Sequence, residues 1–413
     1  MRAVTWHGKR DVRVEDVPSP QILNPRDAIV RVSSTAICGS DLHLYNGVFP
    51  AMKSGDVLGH EFMGEVVAVG SAVTNLREGD RVVVPCVVAC GSCFFCTGKL
   101  FSCCDNSNPN QLESEKLMGS PTAGMFGYSH LAGGYAGGQA ELVRVPFADF
   151  GPIKVPQDIP DDQLLLLSDI LPTAWMGAEN CHVRRGDTVA VWGCGPVGQL
   201  AIRCLFLQGA ERVIAIDNVP ARLVLAAAAG AEAINFETQD VPDLLYEWTG
   251  GRGPDACLDA VGMEAHGTGA LNVVDRVKQA VGMESDRPSV LREMIRCSRK
   301  GGNISILGVY AGNVDAFPMG VAFSKGLTFR MSQVHVHRYK TLLLDLVLEG
   351  KIDPSIVISH RYGLDEAADA YRMLNDKADS CTKIVLSARK LARSPELPPD
   401  ARTVPDFASS LVA

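Results

Sequence analysis

Short apolar runs separated by glycine, proline and charged residues organise the first third of the chain. The opening MRAVTWHGKRDVRVEDV alternates apolar and polar positions as a half-buried strand does, and AIVRVSS, GEVVAVG and DRVVVP continue the pattern. No long helical period interrupts them, so residues 1–155 are expected to form a β-rich domain. The pattern then changes. TVAVW (188–192) is a buried-type strand, followed by GCGPVGQ and the helical run LAIRCLFLQ; RVIAID, ARLVLAAAA, EAINF, PDACLDA and NISILGV (303–309) extend the alternation. Apolar strands alternating with helices predict a doubly wound parallel sheet, an α/β arrangement over residues 156–325. The stretch between Asp259 and Gly302 is longer than such connections usually are and reads as an excursion. KTLLLDLVLEG and CTKIVLS return the chain to the first domain over residues 326–390, and the Pro-rich residues 391–413 read as a loosely packed tail or a subunit contact.

Length and composition narrow the function. The chain has 413 residues, enough for two or three cores, and 46% hydrophobic with 21% charged residues is ordinary for a globular protein. A net charge of −8 argues against nucleic acid or an acidic membrane as partner, and no apolar run long enough to span a bilayer is present. Thirteen cysteines, odd in number and clustered, fit a reducing cytoplasm better than a secreted disulfide framework.

The cluster is the strongest chemical signal. Cys90, Cys93, Cys96 and Cys104 form C-x2-C-x2-C-x7-C, a spacing at which four thiolates can close around one tetrahedral zinc. Two disulfides or separately buried cysteines are the alternative. A four-thiolate site leaves no open position, so this zinc is expected to be structural. A second signal is G-x-G-x-x-G at Gly193, Gly195 and Gly198, between a strand and a helix, the context in which backbone N–H groups receive a pyrophosphate. Asp217 ends the following strand, where a carboxylate takes the ribose hydroxyls and repels a 2′-phosphate; it is otherwise a turn residue. The reading is NAD rather than NADP.

Cys38 in CGSDLH and His60 in LGHE place a thiolate and an imidazole on separate loops of the β-rich domain. Together with the quartet, the glycine turn and their order, these motifs resemble the zinc-dependent medium-chain alcohol dehydrogenases over roughly residues 1–390. The resemblance implies a GroES-like catalytic domain joined to a Rossmann domain, two Zn2+ per chain, NAD, and assembly as a homodimer or homotetramer. It implies that Cys38 and His60 ligate a catalytic zinc, that the neighbouring carboxylate of Glu61 can reach the metal when its fourth ligand exchanges, and that Ser40 and His43 relay a proton from substrate to solvent. It further implies that Thr173 packs near the nicotinamide and that Pro196, Val197 and Arg222 complete the cofactor site. SDILPTAWMGA and GYAGGQAELVRVPFADF (134–150) are similar to the formaldehyde dehydrogenase and dismutase branch that works without glutathione, in which an aspartate, here Asp169, is the third ligand. Asp169 as a helix cap is the alternative. In such enzymes zinc acidifies a hydroxyl so that hydride can leave for the nicotinamide, and hydrated formaldehyde, a gem-diol, serves as an alcohol does. The implied substrate is a small alcohol or formaldehyde; a broader secondary-alcohol or polyol dehydrogenase uses the same residues. The loop 105–134 has its own sequence, which leaves dehydrogenase and dismutase both open. Trp175, Phe126 and His335 are candidates for the pocket wall or for packing, and HVHRY (335–339) reads as alternating surface histidines on a strand.

Overall fold

A computed structural model describes residues 1–263, 288–310 and 314–388. The excursion after Asp259 falls mostly outside these residues, and the tail 391–413 wholly so. Two compact units are present, Met1–Pro172 with the segment from Val334 onward, and Thr173–Gln333. These seams lie downstream of the points where the sequence changes style. The leucine-rich turn Leu165–Ser168 packs on strands Glu61–Val69 and Arg81–Val84, so it belongs to the β-rich unit.

The β-rich unit is built on strand Ala28–Ile37, whose residues are nearly all buried on both faces. It pairs antiparallel with Glu61–Val69 on one side and with Ile384–Ser387 on the other, and its first residues also pair with Leu142–Val145. The register decides what meets at the strand's end: Ala36 is opposite Glu61 and Ile37 opposite Ile384. Cys38, the His60–Glu61 pair and Lys383 are therefore brought to one end of the sheet by strand pairing alone. Helix Gly39–Tyr45 begins immediately, with Asp41 accepting the Cys38 backbone N–H at 2.9 Å as a capping box requires.

The second unit is a six-stranded parallel sheet. In chain order its strands are Thr188–Trp192, Arg212–Asp217, Glu232–Asn235, Ala256–Asp259, Asn303–Ile306 and Thr328–Met331, and side by side they run third, second, first, fourth, fifth, sixth. The order reverses beside Thr188–Trp192, which makes the carboxyl end of that strand the expected place for a ligand. The fold class read from the sequence is thus observed in both units.

One local reading is corrected. HVHRY is not a strand: His335 precedes helix Val336–Leu348, and His335 and His337 are buried. The His337 ring stacks on Phe150 with centroids 5.1 Å apart and planes 8° from parallel, and His335 Nδ1 lies 2.9 Å from Ser102 Oγ. The apolar period of the helix starts at Val336, one turn earlier than the KTLLLDLVLEG run suggests, and it draws the histidines inward. Phe126 is a core residue, edge-on to Phe62. No helix among the described residues is long and apolar enough to cross a membrane.

Candidate metal and dinucleotide sites

All four quartet thiols converge. Their sulfurs lie within 4.8 Å of one another, with Cys90 Sγ 3.9 Å from Cys96 Sγ and Cys93 Sγ 3.9 Å from Cys104 Sγ. Zinc–sulfur bonds of about 2.3 Å in a tetrahedron put sulfurs about 3.8 Å apart, so the cage is of zinc size. Cys103, adjacent in sequence, is exposed and takes no part. N–H groups of Ser92 and Cys93 point at Cys90 Sγ from 3.4 and 3.3 Å, and Asn106 adds a third donor. Burial pushes the Cys90 thiol up, but the N–H groups of Ser92 and Cys93, helped by the Ser92 hydroxyl and Cys104, outweigh it and hold the thiol down at about 6, poised as a thiolate ligand. All thirteen cysteines carry free thiols.

The second cluster is assembled from distant segments. One ligand-type atom each from Cys38, His60, Glu61 and Asp169 lies within 4.8 Å of the others, and all four residues are buried. Asp169 Oδ2 is 3.8 Å from Cys38 Sγ and 3.4 Å from His60 Nε2. Asp169 directly precedes helix Ile170–Asn180, the position of a cap, yet these contacts turn its carboxylate into the cluster. Asp41 Oδ1 faces His60 Nδ1 at 3.1 Å, which favours the proton on that nitrogen and leaves Nε2 for a metal. Ser40 Oγ lies 3.4 Å from His60 Nε2, and His43 is buried three residues further along the same helix.

Charge and hydrogen-bond satisfaction both suit a bound cation here. Asp41, Glu61 and Asp169 bring three carboxylates together, and Lys383 brings one ammonium, its Nζ 2.5 Å from Glu61 Oε1. Glu61 Oε2 is buried with no hydrogen-bond partner. Burial pushes the Glu61 carboxyl up against the pull of Lys383, and pushes the Cys38 thiol up as well. Burial opposes the charge on His60, but Asp41 and Cys38 overrule it and raise its pKa. A dication answers all of these at once, and the thiolate, imidazole and carboxylate donors are those zinc accepts. The residues fit the metal.

Three members of this centre are absent from the reading of the sequence. Asp41 is within its reach, since an aspartate three residues after Cys38 is a capping-box spacing. Cys86 is a lone cysteine whose Sγ lies 3.5 Å from Asp169 Oδ1 and whose N–H bonds Ser168 O; burial holds its thiol well up, and therefore protonated as a donor. Lys383 reaches the site only through the pairing of the last strand, which no local pattern announces.

In the second unit the glycine turn has the expected division of labour. Gly193 adopts φ +88°, and a Cβ on Gly198 would sit 1.8 Å from Gly193 O. A Cβ on Gly195 would meet no protein atom, so the turn is open at the position where a pyrophosphate approaches. Pro196 is the first residue of helix Pro196–Leu207, with Val197 after it. Asp217 does more than end its strand: Oδ2 accepts the Cys194 N–H at 2.7 Å, and Oδ1 accepts those of Asn218 and Val219 at 2.7 and 2.9 Å. Arg222 Nη1 lies 3.8 Å from the same carboxylate. Thr173 lies on helix Ile170–Asn180, partly exposed. The residues fit a dinucleotide.

Comparison with known proteins agrees with this chemistry. Residues 24–157 match the family model for the alcohol dehydrogenase GroES-like domain, and residues 196–280 that for zinc-binding dehydrogenases. A zinc-type alcohol dehydrogenase-like protein of Bacillus subtilis is 43% identical over 390 residues, covering 94% of this chain and all of the relative. A glutathione-independent formaldehyde dehydrogenase of Pseudomonas aeruginosa is 34% identical over 398 residues, covering 90% and 94%. Among solved structures, the alcohol dehydrogenase of Thermus sp. ATN1 superposes with a TM-score of 0.78 at 35% identity, covering 94% of this chain and 99% of that one. With both metal clusters, the glycine turn and the two-unit fold in place, the chain belongs to the zinc-dependent medium-chain alcohol dehydrogenase family.

Proposed function

We propose that this protein is a cytoplasmic, NAD-dependent oxidoreductase that takes hydride from a small alcohol or from hydrated formaldehyde. The observation that carries the reading is the convergence of Cys38, His60 and Asp169 in one buried centre beside Glu61. Cys38, His60 and Asp169 would hold the metal, while the cysteine quartet would hold a second, structural ion. Bound zinc supplies Lewis acidity that lowers the pKa of a hydroxyl group, and the bound dinucleotide supplies the hydride acceptor. Ser40 Oγ, beside His60 Nε2, takes the hydroxyl proton, and His43 on the same helix passes it on. Lys383 holds Glu61 in place through its ion pair. Gly193, Gly195 and Gly198 let the backbone approach the pyrophosphate, Thr173 packs at the nicotinamide, Arg222 lines the cofactor site, and the Asp217 carboxylate faces the ribose, which favours NAD. Self-association as a dimer or tetramer belongs to the same reading.

Asp169 within SDILPTAW, together with the 34% identical formaldehyde dehydrogenase, supports formaldehyde over bulkier substrates. The test is a panel of formaldehyde and short primary and secondary alcohols, each with NAD and with NADP, without glutathione. NADH formation from formaldehyde is expected. Inert formaldehyde beside fast secondary alcohols would move the protein to the broader dehydrogenase reading. Formaldehyde consumption with equal methanol and formate and no free NADH would make it a dismutase.

A further inference from the structure

The Thr173–Gln333 unit has a second cleft, at the opposite edge of its sheet from the glycine turn. It encloses about 520 Å³, and among its lining residues are His182, Arg184, Asp187, Arg299, Asn303 and Arg330. Asn303 opens one strand, Arg330 lies on the neighbouring edge strand, and Asp187 directly precedes a third, so the cleft sits at the amino ends of parallel strands. Gly193 follows the carboxyl end of strand Thr188–Trp192, about 20 Å from Asp187 at the usual rise per residue. The two places are distinct.

Three guanidinium groups face one carboxylate here, in a chain whose net charge is −8. Asp187 is already engaged, accepting the Arg184 backbone N–H at 2.8 Å. Arg299 is fixed by Asp255, with Nε 2.6 Å from Oδ1, and by the Lys300 carbonyl at 2.9 Å from Nη1. Its Nη2 makes no hydrogen bond with any described residue. The side chains of Arg184 and Arg330 make no ion pair or hydrogen bond with any described residue either. Cations after a helix C-terminus commonly answer its carbonyl groups, and His182 and Arg299 follow helices Ile170–Asn180 and Ser289–Cys297. Arg184 and Arg330 are both exposed to solvent, and Arg330 lies on a strand away from any helix end, so their heads are free to turn toward a ligand in the cleft.

We infer that this cleft binds a small phosphorylated anion. Guanidinium forks match phosphate oxygens in pairs, a pre-fixed arginine loses little freedom on binding, and the volume falls within the range of small-molecule pockets. Val183 is the one apolar residue of the lining, so the cleft is unsuited to an apolar ligand.

The probe is inorganic pyrophosphate, titrated calorimetrically into the zinc-loaded protein at constant ionic strength, with and without excess NADH. Saturable binding that persists with NADH is expected. Arg184→Ala/Arg330→Ala should weaken it at least about 10-fold, since removing a single charge-assisted hydrogen bond has about that effect. Turnover of the alcohol substrate should be unchanged, because neither arginine belongs to the catalytic or dinucleotide machinery. Arg330→Gln alone, a milder exposed change, should weaken binding in the same direction. No saturable binding by the native protein up to about 10 mM, a free energy too small for a built site, would overturn the inference. So would binding that NADH abolishes and the arginine variants leave untouched, which would place the anion on the glycine turn.

Discussion

Replacing Lys383 with methionine tests the electrostatics of the catalytic centre directly. Lys383 and Glu61 are 2% and 0% exposed and 2.5 Å apart. At an effective dielectric constant near 20, charges at that distance attract by about 7 kcal/mol, most of which offsets the cost of burying them. Lys383→Met leaves Glu61 buried beside Asp169 without its ion-pair partner. The carboxyl can escape by taking up a proton, and for a group of ordinary pKa 4.5 that costs about 3.4 kcal/mol at pH 7. This ceiling agrees with the 3–5 kcal/mol, roughly, that breaking a buried pair costs. The sign with pH follows. The folded variant keeps a proton that the unfolded chain releases, so its stability falls as pH rises from about 4.5 towards the raised folded pKa, by about 1.4 kcal/mol per unit. Urea unfolding at pH 5 and pH 7 should show a deficit of about 3 kcal/mol at pH 7 that shrinks to about 0.7 kcal/mol at pH 5. Zinc-loaded protein should suffer less than chelator-treated protein, because the metal supplies the missing positive charge. Glu61→Gln/Lys383→Met should recover most of the loss. A deficit under about 1 kcal/mol at pH 7, or one that grows in acid, would refute the reasoning.

Asp169→Asn keeps the shape and loses the charge. Elemental analysis should find the zinc content falling from two ions per chain to one, whereas a residue acting only as a helix cap would leave it at two, Asn being nearly as good a cap. Cys86→Ala removes the S–H donor to Asp169 Oδ1 and should weaken catalytic zinc about 10-fold in chelator competition, with Cys86→Ser restoring most of it. Asp217→Ala would lose the acceptor for three backbone N–H groups, so Asp217→Asn is the cleaner change: the NAD:NADP ratio of kcat/KM should fall about 10-fold or more. An unchanged ratio would remove Asp217 from the ribose.

Features whose parts lie close together along the chain are legible in the sequence alone. The quartet lies within one short segment, the glycine turn within six residues, and the central strands of the parallel sheet, such as TVAVW and RVIAID, are near-continuous apolar runs, whereas the exposed edge strand Thr328–Met331 (TFRM) carries no such run and is not legible. Cys38 and His60 stand out through their neighbours in CGSDLH and LGHE, and Asp169 through a resemblance, not through any property of aspartate in that context. What escapes is what pairing creates. Lys383 meets Glu61 because Ile384 lies opposite Ile37, while Ile37 follows Ala36, the partner of Glu61, and this register is a property of three strands at once. The histidines of HVHRY mislead for a related reason: two residues at alternate positions fit a strand, but the apolar repeat after them starts a helix that buries both.

The separation of the two metal centres along the chain sets an order for making the protein. The quartet is complete once Cys104 has been synthesised, and closing so short a loop costs little entropy. It can therefore capture its ion on a nascent chain whose nucleotide-binding half does not yet exist. The other centre must wait for Asp169, and the counter-charge for Glu61 arrives only with Lys383, more than two hundred residues later. Until that last strand docks, the ligands of the reactive centre hold an excess of negative charge and have no stable enclosure. A ribosome-stalled or C-terminally truncated chain would thus carry one zinc and no activity. A working centre is therefore withheld until strand Ile384–Ser387 has been made and has paired with strand Ala28–Ile37.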